Sequence, residues 1–186
     1  EVEDSFFAYS PVVDDTLSTV IGVVSYGYGE YELNPRDEDD IILSNPPLEI
    51  PELKINEFLA ATDQCCDDGY GEMEDFIEIY NSGADAVDIG GLWITDDLTD
   101  VSTWEQIPTT DATTTTVAAG NHIVIWADKD QSSQGILHTD DIKLSSDGEQ
   151  IGLILISGTD TVFVDSLTFG AQTDDISYGR YPDGSD

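Results

Sequence analysis

An all-β fold, a β-sandwich preceded by a β-hairpin segment, is what three features of this 186-residue sequence predict. Phe76-Ile77-Glu78-Ile79-Tyr80 alternates apolar and polar side chains, the pattern of a strand with one face buried. Runs of the same kind recur from Leu53 onward, separated by Gly, Asp, Ser and Asn turns, and such spacing points to a sandwich. No stretch carries a helical period of comparable clarity.

Taken in order, residues 18–26 read as a strand, Gly27-Tyr28-Gly29 as a turn and 30–33 as the returning strand. A lone hairpin is marginal, so segment 1–43 needs a packing partner. Residues 44–52 form a linker, because Pro46, Pro47 and Pro51 favour an extended path outside any central sheet. Strands are then expected at 53–59, 75–80, 86–95, 122–127, 150–156, 161–169 and 177–181, with weaker ones near 104–107, 113–117 and 142–144. Gly90-Gly91 bends the third of these toward Trp93. Ile123-Val124-Ile125-Trp126 is apolar on both faces, which reads as a central strand covered on each side. The Thr-rich run 109–116 reads as a loop entering an edge strand.

Charge narrows the function. Forty Asp and Glu against five Lys and Arg give a net charge of −35. This excludes an ordinary nucleic-acid surface, which needs clustered Lys and Arg, and disfavours anionic membranes. No apolar run reaches the length of a membrane span. No signal peptide opens the sequence, and Glu1 reads as a boundary rather than a natural start. Three readings of the acidity remain: a solvating coat suited to halophilic or marine salt, divalent-cation binding, or a basic partner.

The cation reading centres on 63–75, where Asp63, Asp67, Asp68, Glu72, Glu74 and Asp75 crowd between glycines. Carboxylates this dense repel one another unless solvated or bridged by a cation, here calcium, although the spacing is not that of an EF-hand. Cys65 and Cys66, the two cysteines of the chain, stand in the same loop. They are read as a vicinal disulfide in preference to free thiols, an interchain bond or a soft-metal site. Zinc is disfavoured because only His122 and His138 add further ligands of its kind. Asp128-Lys129-Asp130 opens like a Ca²⁺ loop but lacks the sixth-position glycine and the closing glutamate, so a polar hairpin loop is expected. No nucleophile elbow, phosphate loop or His-Glu-x-x-His motif occurs, and no catalytic residue is assigned. Tyr26, Tyr28 and Tyr31 form either an aromatic platform or a packing hairpin.

Two resemblances add to this. Residues 21–41, ending in Pro35-Arg36-Asp37-Glu38-Asp39-Asp40-Ile41, resemble the closing strands of an OB-fold-like domain of secreted bacterial nucleases and surface proteins. From Ile55-Asn56-Glu57-Phe58 through Gly90-Gly91-Leu92-Trp93, Ser146-Asp147-Gly148 and Asp165-Ser166-Leu167 to Ser177-Tyr178-Gly179-Arg180-Tyr181-Pro182-Asp183-Gly184, the chain over 53–186 is similar to the lamin tail domain family in its bacterial extracellular branch. That resemblance implies an immunoglobulin-like sandwich and a non-catalytic tethering or interaction role, at the cell surface or secreted, with a protein or surface partner. Two alternatives remain: a Ca²⁺-dependent adhesion or stabilising module, and an accessory fragment of an extracellular hydrolase.

Overall fold

The computed structural model describes residues 10, 16–43 and 48–185. The linker residues 44–47, and 1–9 and 11–15 of the first segment, lie outside the described residues. The chain divides into two units between Glu49 and Ile50.

The first unit is two antiparallel strand pairs. β1 (Leu17–Val20) pairs with β4 (Ile41–Leu43), and β2 (Val23–Gly27) with β3 (Glu30–Asn34). The single strand expected over 18–26 is therefore two, broken at Ile21-Gly22. A Cβ at Gly22 would run into the Asn34 carbonyl, so the backbones approach too closely there for the ladder to continue. Tyr28 and Gly29 turn the hairpin with φ of 52° and 93°, the left-handed pair that matches strand twist. Tyr26 and Tyr31 face each other across it at 4.9 Å, yet both rings are exposed. Arg36 grips the buried Asp40 through Nε and Nη2 at 2.8 and 2.7 Å, and this fork holds the Asp40 carboxyl down at about 2.

The second unit is the sandwich. One sheet runs β11 (His122–Trp126), β6 (Phe76–Asn81), β5 (Leu53–Leu59), β14 (Tyr178–Gly179). The other runs β13 (Asp160–Thr168), β12 (Gln150–Ser157), β8 (Trp93–Thr95), β9 (Glu105–Gln106). β7 (Val87–Asp88) and β10 (Thr116–Val117) form a small separate pair. Ile55, Phe58, Ile77, Ile79 and Ile125 from the first sheet meet Ile94, Ile151 and Leu153 from the second in one core. Burial alternates along β6, as Phe76–Tyr80 requires, and Asp165 hydrogen-bonds the Ile55 amide to join the sheets at 2.8 Å.

Several elements differ from the sequence reading for identifiable reasons. The strand expected over 86–95 becomes β7 and β8, which belong to different sheets. Gly91, at φ 93°, supplies the left-handed residue between them. Asn81 ends β6 fully buried, and its amide donates to Asp85 and Val117 carbonyls; it is a clamp rather than a flexible turn residue. β11 lies at the end of its sheet, not at the centre. Its outer side is covered by a loop, since the Trp126 amide donates to Leu137 and the Trp126 carbonyl accepts from Thr139. Asp111 caps a single helical turn, α1 (Ala112–Thr115), by accepting from the Thr113 and Thr114 amides, so the Thr-rich run is helix before it becomes strand. Ile142 and Leu144 are buried but form no strand.

Candidate functional site

The acidic loop between β5 and β6 is shaped by carboxylates that accept backbone N–H groups. Asp175 Oδ1 takes the amides of Asp63, Gln64 and Cys65 at 2.8, 2.9 and 3.2 Å, which fixes the start of the loop. Cys65 and Cys66 are bonded to each other, and Cys66 has a φ of 67°. Asp67 bridges to Met73 in antiparallel fashion, closing a tight turn inside which Asp68 is buried. Its Oδ1 accepts from Tyr70 and Glu72 amides at 2.8 and 3.1 Å. Its Oδ2 is shut off from solvent and has no hydrogen-bond partner.

The second half of the site follows β11. Asp128 leaves the strand and the chain makes one helical turn, α2 (Gln131–Gln134). It then returns through Leu137–Thr139 along Trp126. The return sets His138 Nδ1 against Asp128 Oδ2, with both side chains buried. Asp128 Oδ1 accepts from the Asp130 amide at 3.1 Å. The loops are tied together by Tyr70, whose hydroxyl donates to the Gln134 carbonyl at 2.6 Å, and by Gln134 Nε2 donating to Glu72 at 2.7 Å. Tyr70 also presents its ring edge-on to His138 at 5.6 Å.

These elements gather Asp68, Asp128 and His138 so that one ligand atom from each lies within 4.8 Å of the others. This is the one such His/Cys/Asp/Glu group among the described residues. Burial works against a charged Asp68, but the Tyr70 and Glu72 amides, with His138 and the Gly71 amide, outweigh it and keep the carboxyl below the usual range. Of the three, His138 also lines a recess of about 480 Å³ with Tyr70, Trp126 and Gln134.

Of the six acidic residues singled out in the sequence, Asp68 alone enters this cluster. Asp63 lends its amide to Asp175, and Asp67 Oδ1 accepts from Gly69. Glu72 holds Gln134, Glu74 pairs with Lys143 at 3.5 Å, and Asp75 accepts from Thr62. Each is held by a neighbour of its own rather than directed at one point. Asp128 was weighed in the sequence as the start of a Ca²⁺-like loop and His138 as one of two histidines that zinc could use, but neither was joined to the other or to Asp68, because their proximity depends on the return past α2. The only signal was an acidic residue leaving a strand, with a histidine across a polar loop. His122 lies elsewhere, 3.4 Å from Asp183 and against the Tyr80 ring.

The acidic groups around the sandwich oppose one another in pH dependence. Burial pushes the carboxyls of Asp75, Asp96 and Glu105 up. At neutral pH these subtract stability, which returns as pH falls through their raised folded values. Hydroxyl and amide donors pull Asp97, Asp100 and Asp111 down, and amides alone do so for Asp175. Their contribution is present above the unfolded value near pH 4 and is lost below it. Urea unfolding followed from pH 8 to pH 3 is therefore expected to show maximal stability below neutrality and above about pH 4. A monotonic fall from pH 8 would show that the buried acids do not control it.

No helix is long and apolar enough to cross a membrane among the described residues. No curated protein and no solved structure matches the chain. The family model described as Lamin Tail Domain matches residues 47–171, beginning just ahead of β5 and ending beyond β13, so that both principal sheets fall within it apart from the short β14. With an immunoglobulin-like pair of sheets beneath that match, the chain belongs to the lamin tail domain family.

Proposed function

We propose that this chain is a non-catalytic interaction module that tethers a larger secreted or cell-surface protein to a protein or surface partner. Membership of the lamin tail domain family carries the reading. The bonded Cys65–Cys66 pair supports an oxidising compartment. An OB-like origin for the first unit is part of the same proposal. The exposed apolar side chains of Val24, Tyr26 and Tyr31 support it, since a completed barrel would cover them. The test has two arms. Assays of the chain on nucleic acids and phosphate esters with divalent ions present are expected to show no turnover, and measurable turnover overturns the non-catalytic assignment. Protease shaving of intact producing cells is expected to remove the tagged parent protein, and full protection overturns the location.

The acidity fits salt adaptation within this role. At net charge −35 the folded chain repels itself, and raising NaCl from 0.1 to 1 M shortens the screening length from about 10 to about 3 Å. The thermal midpoint is expected to rise by several degrees over that range, and an unchanged midpoint would remove salt adaptation as the reason for the charge.

A further inference from the structure

We propose that Asp68, Asp128 and His138 bind one divalent transition-metal ion, with zinc the best chemical fit, and that the ion clasps the acidic loop to the loop following β11. Three observations converge. One ligand atom of each side chain lies within 4.8 Å of the others, and all three residues are buried. Asp68 is 8% exposed, and its Oδ2 is sealed from water without a hydrogen-bond partner, a costly state for a carboxylate oxygen unless something positive faces it. Asp128 is likewise 6% exposed, and its Oδ2 lies against His138 Nδ1. Two buried carboxylates beside one imidazole form a site that a doubly charged ion suits.

The donor set selects the metal. Calcium takes six to eight oxygens at flexible geometry, whereas this site offers two carboxylates and a ring nitrogen. Zinc accepts that mixture in a four-coordinate shell whose last position can be water. The recess lined by His138, Tyr70 and Gln134 borders the cluster at His138. Gln134, whose Oε1 is another buried oxygen without a partner, is among the residues of the same recess. The calcium reading of the sequence drew on carboxylates that the fold sends in separate directions. This site instead joins two loops far apart in sequence, which is where a cross-link gains most.

The test is metal uptake by the whole chain, freed of metal by chelation and held in excess Mg²⁺ and 0.5 M NaCl to saturate diffuse carboxylate binding. Zn²⁺ titration is expected to give one saturable site. The thermal midpoint is expected to rise by roughly 5–10 °C when free zinc is a hundredfold above its Kd, and Ca²⁺ at the same concentration to give no such rise. Co²⁺ is expected to give the visible ligand-field bands of a low-coordinate site containing nitrogen. Asp68→Asn and His138→Gln are expected to abolish both signals, while Asp63→Asn keeps them. The proposal is overturned by absence of saturable Zn²⁺ uptake, by equal midpoint rises with Ca²⁺, or by uptake unchanged in both variants. Should a variant fail to fold, the Co²⁺ spectrum of the unaltered chain decides, and absent bands overturn the site.

Discussion

A Phe58→Ala chain is expected to lose about 3–5 kcal/mol of the second unit's stability, the usual cost of removing a large buried aromatic. Phe58 is 1% exposed and sits on β5, the strand flanked by β6 and β14. Its ring meets Phe169 at 4.4 Å and Tyr178 at 5.9 Å. Removing it therefore forfeits contacts toward the region beyond β13 and toward the closing strand β14. The surrounding backbone is sheet on both sides and cannot collapse into the void, which places the loss toward the upper part of the range. All three tryptophans, Trp93, Trp104 and Trp126, lie beyond Glu49. Guanidinium unfolding read by tryptophan fluorescence thus isolates this unit. The midpoint should fall with the slope unchanged, and a midpoint within error of the parent would mean that β5 does not hold the core.

The second large effect is expected at Arg180. Its guanidinium donates from Nε to the Ile55 carbonyl at 2.9 Å and from Nη2 to Asp165 at 3.0 Å, and Nη1 reaches the Ser185 carbonyl. The side chains of Arg180 and Asp165 are 19% and 11% exposed. Asp165 also accepts from the Ile55 amide, so one carboxylate and one guanidinium fasten β13, β5 and the C-terminal segment together. Arg180→Ala strands a nearly buried carboxylate, and about 3 kcal/mol is expected to be lost. Arg180→Lys should restore only part, because an ammonium cannot span three acceptors in a planar fork. Adding Asp165→Asn to Arg180→Ala should recover some of the loss, since the amide oxygen still receives Ile55 N–H without a charge. A double-mutant cycle measures this coupling. Additive losses would show that the two groups act independently.

The strands at 53–59, 75–80, 150–156 and 161–169 were readable because alternation and β-branched content report a buried face, and 122–127 because its apolar run is short and β-branched, wherever the partner lies. The lamin-tail resemblance rests instead on particular motifs, Gly90-Gly91-Leu92-Trp93 and Ser177-Tyr178-Gly179-Arg180 among them, that sit on these strands and their turns. What escaped depends on contacts distant in sequence. Gly90-Gly91 signalled a bend, but that the chain changes sheets there follows from pairing with β10 and β12. Ile123 to Trp126 looked central because both faces are apolar; the cover on one side is a loop that no strand pattern announces. The helical turns at Ala112–Thr115 and Gln131–Gln134 are too short to carry a period. At the site, Asp68 stood out among its acidic neighbours only as one of six. Its isolation became visible once Tyr70 and Glu72 were seen to occupy Oδ1, leaving Oδ2 alone. His138 needed the fold, because ten residues and a helical turn separate it from Asp128.

The position of β13 at the border of its sheet has a consequence for the behaviour of many copies together. Nine residues long, it has one strand side without a pairing partner among the described residues, the geometry that recruits another chain edge to edge. No proline interrupts it, and its apolar Phe163 is exposed. At neutral pH the guard is long-range: two copies each bearing −35 repel before the edges meet. Near the isoelectric point, about 4.1, that repulsion vanishes, at the lower end of the range where the sandwich is expected to hold. The colloidal weak point of the molecule thus falls where its edges are intact and its charge is gone. Acidification should draw it into strand-paired assemblies before it unfolds.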